Sequence, residues 1–420
     1  MDHPPRLILA VADGSERAEL PGLVDYEGAL GSASPELPPD IVRAWSGDDH
    51  YLCYTGGTTG MPKGALWRQG DFLVSALGVT RKDGSEFESI DEVADFATSS
   101  MRAMPAPPLM HGAAHWNAMS AWIGGGTIVI QDVVDHFDPT SILETAERHR
   151  ATSLLLVGDP MARPLLDVLD AESETGTTRD LSSIRHIVSG GAVLSAESKR
   201  RLLDRFSGVR IIDVLGSTES GRQGIASAAG DGTGNTGRFV SADTAKVLNE
   251  DLTRVLRPGE DAIGWLTQSG RVPLGYMNDP DKSARTFPVV DGVRYAVAGD
   301  RARVDADGAI ELLGRDSVCI NTGGEKVFAE EVETALKSHP AVLDAVVCGT
   351  PSERFGEEVV GIVEFRGGVE TTDDELLESA GRHLARYKLP RRIIRTDNVV
   401  RSPSGKADYR WAKAKATESD

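Results

Sequence analysis

The sequence predicts an α/β fold: a large N-terminal domain with a parallel α/β sheet and a small β subdomain, followed by a small α+β C-terminal domain. Three observations carry this. Between residues 139 and 216 apolar strand patterns alternate with amphipathic helix patterns, which calls for a parallel sheet with helices on its faces. Residues 240–314 turn to shorter strands and tight turns such as Pro258-Gly259 and Asp307-Gly308. Beyond Gly314 the chain has an α+β pattern of its own, as a separate small domain would.

The elements follow in order. Arg6–Val11 is a short strand pattern, and a turn-rich stretch with Pro21-Gly22 and Ser34–Pro39 comes after it. The apolar run Tyr51-Leu52-Cys53-Tyr54 breaks into a glycine-rich loop. Asp71–Val79 reads as an amphipathic helix, and residues 81–98 as an acidic, exposed insertion. A Pro-rich approach, Met104–Leu109, leads to His111, His115 and Trp116. Helix and strand then alternate: Ile142–Arg148, Ser153–Val157, Met161–Leu169, Ile184–Val188, Ser195–Phe206 and Val209–Val214. The C-terminal part offers helices at Glu330–Leu336 and Glu375–Ala385 and strands at Val342–Cys348 and Val359–Phe365.

Composition bounds the function. The chain has 420 residues with a formal net charge of -19, so nucleic acid is not its expected partner. Its three cysteines, Cys53, Cys319 and Cys348, stand far apart in apolar contexts and read as buried free thiols of a reducing compartment. No apolar stretch approaches a membrane span, which points to a cytoplasmic protein without an integral membrane segment.

Chemistry concentrates in Tyr54–Gly64, where four glycines, three threonines and one lysine share eleven residues. Glycines let backbone N–H groups approach an anion, threonine hydroxyls add donors, and lysine adds charge, so the loop reads as a phosphate cradle. It is not a Walker A loop, because Pro62 precedes Lys63 and Gly64 follows it. Two more glycine-bearing turns, Ser189–Ala192 and Leu215–Glu219, fall at the carboxyl ends of strands, the edge at which open α/β sheets bind ligands. His111 and His115 lack the glutamate of a zinc-protease motif, and Asp305–Gly308 reads as a hairpin turn rather than a calcium loop.

Tyr54–Gly64 resembles the signature loop of the adenylate-forming superfamily, which comprises acyl-CoA synthetases, luciferases and peptide-synthetase adenylation domains. Further motifs of that family follow in its order, from about residue 50 to the end. The resemblance implies that Thr55, Gly56, Gly57, Thr58, Thr59, Gly60 and Lys63 hold the pyrophosphate side of ATP. It places Gly190, Gly191 and Ala192 along the adenine, and Gly216, Ser217 and Thr218 at the phosphate. Glu219, with Thr55, would hold Mg²⁺. Asp300 would bind the ribose hydroxyls with Arg315 assisting, and Lys406 would be a mobile catalytic lysine, so that Lys406, Glu219 and Thr218 carry the chemistry. His111 and Trp116 would line the acyl pocket, Gly323 and Gly324 would lie on the CoA side, and Ser317 would be the hinge. Leu215 stands where the family usually has an aromatic residue, and Ala298 replaces a common threonine.

The implied activity is ATP-dependent ligation of a hydrophobic carboxylic acid to CoA, releasing AMP and pyrophosphate. The acid would be a fatty acid or a bulky, sterol-derived one, ATP and CoA the cosubstrates, and Mg²⁺ the metal. A homodimer is compatible with this reading. The implied organisation is residues 1–45 as the remnant of an N-terminal lobe, 46–316 as the adenylation domain and 317–420 as the mobile C-terminal domain. Family members carry a longer segment ahead of the phosphate loop. Two alternatives therefore stand beside the ligase: an adenylating enzyme that loads a carrier protein, and a truncated, inactive nucleotide-binding remnant. Six basic residues between Arg382 and Arg395 offer a surface for steering CoA.

Overall fold

The computed structural model describes residues 7–12, 22–55, 62–229, 237–369 and 371–418. Residues Met1–Asp49 and His50–Asp420 form two compact units. In the first, two short parallel strands, Leu9–Ala10 and Val24–Asp25, precede two helices, Tyr26–Ser32 and Pro39–Ala44. The Asp25 carboxylate caps the first helix by accepting the Gly28 N–H at 2.6 Å. The sequence reading treats this stretch as turn-rich because both helices are short, seven and six residues.

In the second unit one twelve-stranded sheet dominates. Its parallel half consists of Thr127–Ile128, Arg102–Pro105, Ser153–Leu156, His186–Gly190 and Arg210–Ser217. From Gly221–Ala229 onward the pairing is antiparallel, through Arg238–Ser241, Ile310–Arg315, Val293–Val304, Gly264–Ser269 and Ala245–Leu248. The small β subdomain thus continues the parallel sheet edge to edge. Asp305–Gly308 is the expected hairpin turn between Val293–Val304 and Ile310–Arg315, held on its outer side by Arg238, which pairs with Asp305 at 2.6 Å and with Asp307.

Helices cover the parallel half where the alternation predicts them, at Pro139–Arg148, Gly158–Glu174 and Ala196–Arg205. Each buries an apolar stripe. Ile142, Leu143, Leu165, Leu166 and Leu202 pack on Leu154, Leu156, Ile187 and Ile211 in one continuous core. The caps fit the sequence too: Asp138 accepts the Thr140 and Ser141 amides, and Ser195 accepts the Ser198 amide.

Gly275–Tyr276, Lys63–Arg68 and His50–Thr55 form a separate three-stranded sheet, in which Thr55 pairs with Lys63. The smaller C-terminal domain has its own five-stranded sheet, built around Val342–Ser352 and Gly356–Phe365, and its own core. The helices Ala329–Lys337 and Asp373–Gly381 bury Val332, Leu336, Leu376 and Ala380 against it. No helix among the described residues is long and apolar enough to cross a membrane.

Candidate active site

The parallel register brings two glycine turns side by side, because Gly190 pairs with Val214 at the carboxyl ends of adjacent strands. Gly191 has φ +85°, a left-handed conformation that favours glycine, and Lys406 Cε lies 3.9 Å from where a Cβ would stand. At Gly216 a Cβ would fall inside contact distance of the Gly221 carbonyl oxygen, so the close pairing of the two strands needs glycine here.

The turn Ser217–Ser220 is braced from within and from behind. Ser217 and Ser220 hydroxyls lie 2.9 Å apart, the Ser217 hydroxyl accepts the Glu219 amide at 3.3 Å, and Ser220 is fully buried. Behind it the fully buried Trp67 indole donates to the Thr218 carbonyl at 3.0 Å. The Glu219 carboxylate then accepts the Tyr276 hydroxyl at 2.7 Å. Burial and the Glu219 charge both push the Tyr276 phenol well above its ordinary pKa, so it stays a proton donor to that carboxylate.

Asp300 and Arg315 face each other across the strand pair, with Nε to Oδ1 at 3.3 Å. Burial raises the Asp300 pKa and Arg315 opposes the rise, while Asp300 in turn raises the Arg315 pKa. Lys406 enters this charge cluster from the C-terminal domain. Its side chain is accessible to solvent but reaches into dense surroundings, which lower its pKa; Arg315 lowers it further, and Glu219 and Asp300 oppose. Gly405 beside it rests on Val157, whose Cγ1 lies 3.3 Å from the glycine's Cβ position.

Three of the sequence-predicted groups thus gather from distant segments: Glu219, the Asp300–Arg315 pair, and Lys406. His111 joins them. It precedes the helix Gly112–Ile123, and burial, with help from the Lys406 charge and His115, pulls its pKa down to about 4. It is therefore neutral beside the lysine. Gly112 brings that helix start to within 3.7 Å of the Thr218 hydroxyl, again measured from a Cβ position. Trp116 packs into an aromatic cluster, its indole donating to the Tyr51 hydroxyl at 3.1 Å and its ring meeting Phe72 at 5.6 Å, while His115 bonds the same hydroxyl.

Lys63 pairs with Asp279, and Thr55 sits half-buried at the other foot of the hairpin. Gly56, Gly57, Thr58, Thr59 and Gly60 lie outside the described residues. Ser317 is exposed in the 3-10 turn Asp316–Val318. Gly323 and Gly324 are exposed with φ +61° and +90°, and Gly323 donates to the Phe355 carbonyl at 2.8 Å. Of the basic residues expected to steer CoA, Lys388 pairs with Glu331 at 2.6 Å and Arg395 with Asp373 at 2.7 Å, so both serve the fold of their own domain. Cys53 and Cys348 are buried free thiols as expected, whereas Cys319 is half-exposed.

An apposed lysine, arginine and neutral histidine, with a carboxylate held by a phenol, can draw two anionic reactants together and stabilise charge that builds between them. The AMP-binding enzyme family model matches residues 5–276, and the AMP-binding enzyme C-terminal domain matches residues 331–406.

The chain belongs to the AMP-binding enzyme family.

This AMP-binding enzyme is 50% identical over 414 residues to the medium-chain acyl-CoA ligase Mig of Mycobacterium avium, covering 98% of this chain and 74% of that one. It is 39% identical over 415 residues to the 3-oxocholest-4-en-26-oate–CoA ligase of Rhodococcus rhodochrous, covering 97% and 73%. In fold it matches the crystal structure of the anthranilate CoA ligase AuaEII in complex with anthranoyl-AMP, with TM-score 0.77 and 21% identity over 98% of this chain and 74% of that chain.

Four residues of the AMP-binding enzyme's site escape sequence reasoning: Trp67, Tyr276, Asp279 and Arg163. Trp67 and Tyr276 read as ordinary strand residues, since nothing local marks a side chain whose partner lies far along the chain. Asp279 could have been noticed as an N-cap before Pro280. Arg163 stands, with Asp159, as a charged residue among the buried positions of its helix.

Proposed function

We propose that this chain is an ATP-dependent acyl-CoA ligase acting on a hydrophobic carboxylic acid of the medium-chain or sterol-side-chain kind. The observation that carries the proposal is the arrival of Lys406, from the C-terminal domain, among Glu219, Asp300 and Arg315. That arrangement suits the first half-reaction, attack of the acid's carboxylate on the α-phosphate of ATP. Lys406 neutralises charge between the two anions, and as an ammonium it needs no proton transfer to do so. Asp300 accepts from the ribose hydroxyls, with Arg315 holding it ionised and in place. The Gly190–Gly191 turn gives the adenine a side-chain-free edge. Leu215 is buried in the core of the β subdomain beside Phe239 and Leu266, so the aliphatic residue at this family position serves packing. Lys63, released from Asp279, supplies charge to the leaving pyrophosphate.

Mg²⁺ fits the donor set. A single braced carboxylate, Glu219, with a threonine hydroxyl at Thr55 suits a hard cation that keeps waters and takes its remaining ligands from phosphate oxygens. When bound, the ion would supply charge neutralisation on the phosphates. For the second half-reaction residues 317–420 turn about Ser317 against residues 46–316, carrying Gly323 and Gly324 towards the acyl adenylate, and the CoA thiolate displaces AMP. Beside that loop the Arg354 and Arg391 guanidinium groups lie over the Phe355 ring, 5.0 and 4.2 Å from its centroid, a setting that suits an anionic nucleotide tail. The reaction belongs in the cytoplasm, where ATP and CoA are both at hand.

The test is incubation of the protein with MgATP, CoA and a panel of acids, with AMP and acyl-CoA followed together. CoA-dependent AMP release with a medium-chain or steroid acid is the expected result. Adenylate formation indifferent to CoA would favour carrier loading instead, and no turnover on any acid would favour the nucleotide-binding remnant.

A further inference from the structure

The helix Gly158–Glu174 meets the C-terminal domain at three points along its length. At its start, Val157 and Pro160 support Gly405, next to Lys406. One turn on, the Arg163 guanidinium donates to the carbonyl oxygens of Lys337 at 2.7 Å, Val342 at 3.1 Å and Leu343 at 3.0 Å. Four residues later Asp167 pairs with Arg366 at 2.9 Å.

The Arg163 contacts have a physical origin in the domain they grip. Lys337 ends the helix Ala329–Lys337, so its carbonyl is one of the groups a helix leaves unpaired, at the end where a cation is favoured. The strand that follows has a register shift between Val342 and Asp344, which takes Leu343 out of the ladder. One guanidinium with several donors answers these carbonyls. Arg163 is only 6% exposed, and Asp159, one turn earlier, holds its Nε at 3.4 Å. Asp159 is itself fixed by the Ser195 amide at 2.9 Å. The arginine is therefore prepositioned in the large domain and has its hydrogen-bonding targets in the small one.

We propose that Arg163 is a positioning residue for adenylation: it sets the register of the C-terminal domain along this helix and so holds Lys406 at the α-phosphate, and its bonds must break before CoA can react. This rests on the ligase reading above. Arg163 makes its bonds in the docked arrangement alone, so removing it should penalise the half-reaction that needs Lys406 and spare the other.

The experiment measures both half-reactions in Arg163→Ala: acid-dependent ATP–pyrophosphate exchange, and CoA-dependent AMP release from supplied acyl adenylate. Losing these bonds to the other domain should reduce exchange by about tenfold or more through kcat, while AMP release from the adenylate is unchanged or faster. Equal losses in both half-reactions, or no loss in exchange, would overturn the proposal. Because Arg163→Ala leaves Asp159 buried without its partner, the double variant Asp159→Asn with Arg163→Met removes the pair together. Arg366→Ala disturbs only a part-exposed ion pair, and it should show the same selective loss at about threefold. A readout independent of turnover uses spin labels at Arg200→Cys and Arg382→Cys, both exposed, in a Cys319→Ser background. The inter-label distance should be narrow with Arg163 present and broad in the Arg163 variants. Broadening without catalysis by the unaltered chain would sink the ligase reading alone; an unchanged distribution would sink the positioning role alone.

Discussion

Replacing Tyr276 by phenylalanine isolates a single hydroxyl. The ring is buried, packs on Phe287 with centroids 5.9 Å apart, and has its backbone amide bonded to the Ser283 hydroxyl at 2.7 Å, so phenylalanine should keep its position. What is lost is the 2.7 Å hydrogen bond to the Glu219 carboxylate. A neutral donor on a charged acceptor contributes about 1.5–3 kcal/mol, which corresponds to roughly 10–100-fold in rate if the bond matters fully in the transition state. The Glu219 backbone stays braced by the Ser217 hydroxyl and, through Thr218, by Trp67, which favours the low end, about tenfold. The assay is acid-dependent ATP–pyrophosphate exchange over a range of Mg²⁺ concentrations. A fall in kcat with a higher Mg²⁺ requirement and an unchanged KM for the acid is expected. Exchange within about twofold of the unaltered chain at every Mg²⁺ concentration would show that the phenol does not orient Glu219.

Three further outcomes concern other parts of the site. Glu330 accepts the Arg315 amide at 3.3 Å, and burial pushes its pKa from 4.5 up to about 8. A raised folded pKa gives stability that is complete below about 4.5 and lost as pH rises through about 8. Glu330→Gln should therefore match the unaltered chain in denaturant midpoint near pH 5 and exceed it near pH 9; parallel midpoints at both would refute the assignment. His111 works in the opposite sense. With its pKa lowered from 6.5 to about 4, it gives stability that is present above 6.5 and lost as pH falls through about 4. His111→Asn should flatten that acid-side decline, by up to about 3 kcal/mol in unfolding free energy. Gly216→Ala drives a methyl group at the Gly221 carbonyl, and an overpacking cost of about 1–3 kcal/mol with severe loss of exchange is expected in thermal melts and rate assays. A variant as stable and active as the parent would mean the two strands can part there.

Much of the fold was legible because it rests on local pattern. The helices Pro139–Arg148 and Ala196–Arg205 carry clear apolar stripes and side-chain caps, and both lie within a few residues of their expected spans. The strand Arg210–Ser217 runs three residues beyond its expected end, because pairing with Gly221–Ala229 prolongs it into the glycine turn. Glu219, Asp300, Arg315 and Lys406 were singled out by the family resemblance and not by their residue types alone, and the fold brings these distant positions together. The site was not legible where function depends on what holds such a residue. Trp67 and Tyr276 are 151 and 57 residues from the groups they bond, and only the folded register brings them there. Arg163 is the instructive case. Its cation is buried for the sake of carbonyls in another domain, more than 170 residues away.

The most direct test is Lys406→Ala, followed in the two half-reactions separately. If the site adenylates an acid with Lys406 docked among Glu219, Asp300 and Arg315, ATP–pyrophosphate exchange should fall at least about a hundredfold, as loss of a charge aimed at the transition state does. CoA-dependent AMP release from supplied acyl adenylate should persist, since the C-terminal domain has then turned away. An equal fall in both half-reactions would mean that the lysine does not serve adenylation alone, and the docked arrangement would lose the role given to it.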